Sequence, residues 1–218
     1  MERTIRVTGK GKLAVHPDMT RLEITLEGIH PEYEAALAFS NAKTEVIRQL
    51  VERHGFDRHD LKTLRFDVEA SYKYSNDSYR TKIFEGYKFE HRMKLEFMSD
   101  NKLLGRLLYE LAHSDTDPEL SLSYTVADPE KAKNKLLGKA VRDSQAKAAL
   151  LAEASGVQLG SVLNIDYSWG EIRMVSRVMD DGCKMKSCSS SAGDSYDMDI
   201  EPDDIDIEDT VTVVWEIR

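Results

Sequence analysis

Apolar and polar residues alternate along most of this chain, and the period changes at a few sharp boundaries. Ile5, Val7, Leu13 and Val15 alternate with polar residues on either side of Gly9-Lys10-Gly11, a pattern that predicts a strand broken by a glycine bulge or turn. Leu22, Ile24 and Leu26 alternate with Arg21, Glu23, Thr25 and Glu27, as in a half-buried strand with one wet face. After Pro31 the period becomes helical: Tyr33, Leu37, Ile47, Leu50 and Val51 form a stripe, with proline in the first turn and Gly55 as a left-handed cap. Period two returns in Leu64, Phe66, Val68, Ala70, Tyr72 and Tyr74, and again in Ile83, Tyr87, Phe89, His91, Met93, Leu95 and Phe97. These two runs predict a long hairpin whose tip lies near Asn76.

Asp100 caps a short helix carrying Leu103, Leu104, Leu107, Leu108 and Leu111. Pro118 precedes a strand of Leu120, Leu122, Tyr124 and Val126. Asp128-Pro129-Glu130 starts a helix that runs to Gly156, with Leu137, Val141, Ala148, Leu151 and Ala154 inward. Leu163, Ile165, Tyr167 and Trp169 predict another strand, and Ile205, Ile207, Val211, Val213, Trp215 and Ile217 a closing one. The order is β-β-α-β-β-α-β-α-β-β. The fold class is α+β, with antiparallel sheets and three helices in one domain over residues 1–218. Residues 19–127 form a ferredoxin-like β-α-β-β-α-β unit. Residues 128–218 add an α-β-β lobe interrupted by an acidic insertion, 173–203, with little periodicity.

Charge sharpens that picture. Between Asp180 and Asp209 stand eleven acidic residues against Lys184 and Lys186, a local charge equal to the net −9 of the whole protein. The remainder is neutral, so an acidic insertion is attached to a balanced body. That balance argues against nucleic acid as a partner, since phosphates require a basic face. No apolar run reaches the roughly 18 residues of a membrane span. The first residues, Met1-Glu2-Arg3-Thr4-Ile5, lack the apolar core of a secretory signal; the chain reads as cytoplasmic, or as periplasmic with a signal trimmed away.

Several segments together resemble the SIMPL domain family, also known as DUF541. They are the opening Ile5-Arg6-Val7-Thr8-Gly9-Lys10-Gly11, the following Val15-His16-Pro17-Asp18, the helix Ala140-Val141-Arg142-Asp143-Ser144-Gln145-Ala146-Lys147-Ala148 continuing through Leu151-Ala152-Glu153-Ala154-Ser155-Gly156-Val157, and the final strand from Val211 to Ile217. Ser144 stands where the family usually has alanine. The resemblance covers nearly the whole chain. It implies kinship with bacterial envelope or periplasmic proteins linked to stress tolerance, and with an animal protein associated with a signalling kinase. It supplies no agreed reaction, cofactor or catalytic residues. Many bacterial members begin with a signal peptide, from which this chain departs.

The candidate chemistry is sparse. Gly9-Lys10-Gly11 lacks the later glycine, the Lys-Ser/Thr pair and the following helix of a phosphate loop. Asp143 and Lys147 are four apart on one helix, as in a surface ion pair. The six histidines, His16, His30, His54, His59, His91 and His113, show no zinc spacing, and His91 has the inward parity of a core histidine. Asp197, Asp199, Glu201, Asp203 and Glu208 imitate a calcium loop, but Pro202 stands where the loop needs glycine, so a solvated acidic run is the simpler reading. Cys183 and Cys188, flanked by Lys184 and Lys186, are the sharpest local feature: two free thiols in a loop are the plainest reading, a candidate redox pair whose neighbouring cations favour thiolate is the next, and a soft-metal site would need two further ligands that no nearby His or Cys supplies. Asn76-Asp77-Ser78 matches a glycosylation sequon.

These features lean away from an enzyme and predict no cofactor and no metal. They fit a non-catalytic protein that forms homo-oligomers through exposed strand edges, or binds a protein partner. An enzyme with an inter-lobe cleft and a thiol redox sensor through Cys183 and Cys188 are the alternatives.

Overall fold

The computed structural model describes residues 3–74, 81–167, 174–177 and 200–218. Eleven elements follow in order: β1 (Thr4–Val15), β2 (Met19–His30), α1 (Tyr33–Arg53), β3 (Lys62–Tyr74), β4 (Lys82–Met98), α2 (Asn101–Ala112), β5 (Glu119–Thr125), α3 (Pro129–Ala154), β6 (Leu159–Asp166), β7 (Val175–Arg177) and β8 (Ile205–Ile217). The α+β class is as expected. The chain divides into two compact units: Met1–Asp18, Thr125–Ser176 and Pro202–Arg218 in one, Met19–Tyr124 and Arg177–Glu201 in the other. The short β7, at their division, is an element that the aperiodic insertion did not predict.

The second unit carries strands in the order β3-β4-β2-β5, the arrangement of a ferredoxin-like β-α-β-β-α-β unit. Its core joins Leu22, Ile24 and Leu26 of β2 to Phe89, Met93, Leu95 and Phe97 of β4, beneath Ile47, Leu50 and Val51 of α1 and Leu104, Leu107 and Leu111 of α2. Burying each large side chain contributes about 1.5–3 kcal/mol. Asp100 caps α2 by accepting from the Lys102 and Leu103 amides, both at 3.0 Å. Gly55 adopts a left-handed φ of 90° after α1, as its sequence position suggests.

Three details differ from the sequence reading. Pro31 lies outside α1, whose cap is Glu32, and the buried face of α1 is Ala36, Ser40, Thr44, Ile47, Leu50 and Val51 rather than a stripe beginning at Tyr33. The bulge lies in β4: the pairing jumps from Ser71–Gly86 to Tyr72–Phe84, leaving Glu85 extra, and Gly86 takes φ 145°. A second shift lies between Thr63 and Arg65, so β3 keeps no single apolar face; Leu64, Phe66, Tyr72 and Tyr74 are all exposed.

The first unit holds a three-stranded antiparallel sheet, β1-β8-β6, with α3 across β1 and β8. Val7, Val211, Val213 and Trp215 pack with Ala140 and Ala148, and Ile205 and Ile207 with Val126, Leu136 and Met174. The register of β1 against β8 is unbroken from Thr4–Glu216 to Val15–Ile205, so the predicted bulge at Gly9-Lys10-Gly11 is absent. The glycines serve another purpose. A Cβ on Gly9 would fall on the Ala140 carbonyl oxygen and 2.5 Å from the Ser144 amide; one on Gly11 would fall on the Leu136 carbonyl. The α3 backbone thus lies directly on the β1 backbone.

That approach also rotates α3 from its expected orientation. Its buried row is Ala132, Leu136, Ala140, Ser144, Ala148 and Ala152, spaced by four. Leu151 and Ala154 are exposed, and Leu137 and Val141 pack only at the margin. Asp128 caps the helix at the Lys131 amide (2.9 Å), followed by Pro129, as predicted. On β6, Leu163 and Ile165 are exposed, because α3 lies over the other two strands and β6 forms the sheet's end.

Adding one methyl group tests the close approach. Gly9→Ala is expected to lower stability by about 3 kcal/mol or more, since helix and strand backbones must separate. Gly138→Ala, also on α3, meets only the Arg142 guanidinium at 3.7 Å. It should raise stability by about 0.5–1 kcal/mol through helix propensity. Urea unfolding midpoints of the two variants should move in opposite directions.

Candidate functional site

The segments that resemble one family meet in the first unit, where they form a single contact system. At the end of β1 the chain turns at Pro17-Asp18. The Asp18 carboxylate accepts the Ala127 amide at 2.7 Å, and its own amide donates to the Thr125 carbonyl at 3.2 Å. Further along β1, Lys10 donates its amide to Asp143 Oδ2 at 2.7 Å, and the same oxygen pairs with Lys147 Nζ at 2.7 Å. Lys147 Nζ also reaches the Thr8 carbonyl at 3.4 Å, and Lys139 Nζ donates to the Lys12 carbonyl at 3.0 Å.

Asp143 and Lys147 therefore do form the expected i,i+4 pair, but the pair is also bound to the strand. The Lys147 ammonium, and after it the Lys10 amide, hold the Asp143 carboxyl below the usual carboxylate range. Chemically, this arrangement fixes an anion between two donors: it binds backbone. Lys139 was not singled out from the sequence, and Asp18 entered only through the Val15-His16-Pro17-Asp18 resemblance. The signal for Lys139 was its place four residues before Asp143, which continues the same helix row.

Ser144 occupies the middle of the buried row with no exposed surface, and its hydroxyl has no hydrogen-bond partner among the described residues. A buried hydroxyl without a partner is a cost that alanine would not carry.

His91, in the second unit, is a core histidine whose ring nitrogens are both satisfied. Nδ1 lies 2.9 Å from Thr44 Oγ1 and Nε2 lies 2.9 Å from Thr63 Oγ1. The Thr44 hydroxyl donates to the Ser40 carbonyl at 2.8 Å. It must then accept from Nδ1, which assigns the hydrogen to Nδ1 and leaves Nε2 to accept from Thr63. Phe66 meets the ring edge-on at 5.2 Å. Burial, and secondarily the Arg48 guanidinium, push His91 below the ordinary imidazole range.

The remaining candidates do not converge. His16 pairs with Asp204 (3.2 Å), His54 lies 3.1 Å from Glu110, His113 meets the Tyr109 carbonyl (2.7 Å), and His30 accepts the Glu32 amide (3.3 Å). Among the described residues no three His, Cys, Asp or Glu side chains gather as a metal site. Of the acidic run, Glu208 is on β8 and pairs with Lys10 Nζ at 2.8 Å, while Asp203 accepts the Asp204 amide. Cys183, Cys188, their flanking lysines, Asp197, Asp199, Trp169 and the Asn76-Asp77-Ser78 sequon lie outside the described residues. No helix among the described residues is long and apolar enough to cross a membrane.

Two measurements probe these environments. Ser144→Ala is expected to stabilise the protein by about 1 kcal/mol, read from its urea midpoint. His91 stays neutral in the folded state at pH values where the unfolded imidazole, titrating near pH 6.5, takes up a proton. Its contribution to stability is complete above about pH 6.5 and is lost as pH falls through its lowered folded value. In urea melts from about pH 7.5 to about pH 5.5, His91→Gln should show a shallower decline than the wild type.

Residues 5–215 match the family model described as "SIMPL: Protein of unknown function (DUF541)". The chain is similar to a "26 kDa periplasmic immunogenic protein" of Brucella abortus (strain S19), 29% identical over 164 residues, 74% of this chain and 65% of that protein. It thus spans somewhat under two thirds of that relative's length. It is also similar to "Uncharacterized protein YggE" of Edwardsiella ictaluri (strain 93-146), 23% identical over 96% of this chain and 85% of that protein. A solved "uncharacterized conserved protein from Listeria innocua" aligns over 100% of this chain and 93% of its own at 10% identity, with a TM-score of 0.23 that supports no structural equivalence. Since the matched family model runs through both compact units and takes in the strand, turn and helix whose contacts are described above, the chain belongs to the SIMPL (DUF541) family.

Proposed function

We propose that this protein is a non-catalytic member of its family that works by self-association or by binding a protein partner, in envelope stress physiology. The observation that carries this reading is the β3 edge. β3 ends its sheet among the described strands and runs for 13 residues. It exposes Leu64, Phe66, Tyr72 and Tyr74, and the adjoining β4 exposes Ile83 and Phe84. Long edge strands with exposed apolar residues favour pairing with another chain. The polar groups of the family-like segments support the same reading, because Asp18, Asp143, Lys139 and Lys147 are engaged with main chain. The name of the Brucella relative, a periplasmic immunogenic protein, supports a periplasmic location.

Light scattering coupled to size exclusion tests the association. The wild type is expected to run as an oligomer, and Phe66→Lys, which places a charge on the β3 edge, to shift it toward monomer. In fractionated native cells the protein should co-release with periplasmic markers. A strict monomer at high concentration, with no captured protein partner, overturns the reading.

A further inference from the structure

β1 is also an end strand: β8 occupies one side, and no strand among those described occupies the other. Residues of an antiparallel strand point their amide and carbonyl alternately to the two sides. The Ile217 amide donates to the Arg3 carbonyl at 3.0 Å, so odd-numbered residues of β1 face β8. Thr8 and Thr212, opposite each other, instead meet through their hydroxyls at 2.9 Å, as in a non-hydrogen-bonded pair. The outward groups are therefore those of the even-numbered residues, with Thr8, Lys10 and Lys12 in the middle of the strand, and these are the groups that an added strand would use.

Each of the three contacts from α3 ends on one of those groups. Lys139 takes the Lys12 carbonyl, Asp143 the Lys10 amide and Lys147 the Thr8 carbonyl. Cation, anion and cation thus meet an acceptor, a donor and an acceptor at three successive outward residues, one group on each. The spacings also agree. Four helical residues rise about 6.0 Å, and two strand residues about 6.6–6.8 Å. A helix row at i, i+4 and i+8 can thus follow a strand edge at i, i+2 and i+4 for three positions. Gly9 and Gly11 keep the two backbones close enough for these side chains to reach.

We infer that the Lys139–Asp143–Lys147 row is an edge guard: it occupies one outward hydrogen-bonding group on each of Thr8, Lys10 and Lys12, in the middle of β1, and prevents that edge from accepting a strand from a second copy of this chain. The guard concerns β1 and is independent of association at β3, so either can fail without the other.

Amide hydrogen exchange and solution mass test it together. In the wild type the Lys10 amide should exchange slowly, as the β8-bonded amides of Val7 and Gly9 do. In Asp143→Ala it should exchange roughly tenfold faster or more, with Val7 and Gly9 unchanged. Asp143→Asn, which retains an acceptor oxygen, should largely restore protection. The triple variant Lys139→Met, Asp143→Leu, Lys147→Met should at least double its solution mass relative to the wild type, or precipitate from the folded state. A wild-type Lys10 amide that exchanges at the rate of an unbonded amide overturns the inference, even if the triple variant does not fold. A folded, soluble triple variant with the wild-type mass overturns it as well.

Discussion

The first unit depends on one constraint, the contact of helix backbone with strand backbone where α3 crosses Gly9 and Gly11. Two features that look unrelated follow from it. A helix this close can present only small side chains to the strand, so alanines and Ser144 recur every fourth residue beside a single leucine. The same approach brings the flank of the helix beside the outward edge of β1, which has no partner strand among those described. Lys139, Asp143 and Lys147 supply partners to that edge instead. The apolar row and the charged row are adjacent faces of one solution to that contact.

The second unit is built on a different principle. Large side chains from β2, β4, α1 and α2 interlock in one core, and helix-to-sheet distance is set by leucines, isoleucines and phenylalanines. Among the described residues the one buried histidine there is His91, accommodated because α1 offers Thr44 and β3 offers Thr63 at hydrogen-bonding distance from its two nitrogens. A threonine on the buried face of α1 is otherwise a poor choice, since it restricts its own rotamers and competes for backbone carbonyls. Here it does both jobs, donating to the Ser40 carbonyl and accepting from the ring.

How much of this was legible in the sequence depended on how local the determining physics was. The caps of α2 and α3 were readable because Asp100 and Asp128 act within three residues of themselves. β2 and β8 were readable because one parity of each is mostly apolar and buried, Leu22, Ile24 and Leu26 in the one and Ile205, Ile207, Val211, Val213 and Trp215 in the other. The role of Gly9-Lys10-Gly11 was not, because a bulge and a close approach both require a missing side chain, and only a helix over a hundred residues away distinguishes them. The bulge in β4 was hidden for the converse reason: the parity of Ile83 returns at Tyr87, so Glu85 reads as one polar residue within an alternating strand rather than as an extra one. Leu163 and Ile165 had the parity of core residues, and their exposure follows from which strands α3 happens to cover.

The same non-locality decides how the charged residues are to be understood. Taken along the chain, Asp143 beside Lys147 suggests either chemistry or a solvated surface, and Asp18 after a proline suggests a turn. In three dimensions each carboxylate accepts a main-chain amide from a distant segment, Lys10 for the one and Ala127 for the other. A carboxylate so engaged is stabilised as the anion and would lose two donors on protonation in the case of Asp143, which is a poor starting point for proton transfer. It is a good starting point for holding a strand edge. The residues that mark this family along the first unit can thus be accounted for by architecture, and the proposed association draws on a different surface, the apolar side chains that face solvent along β3 and the start of β4.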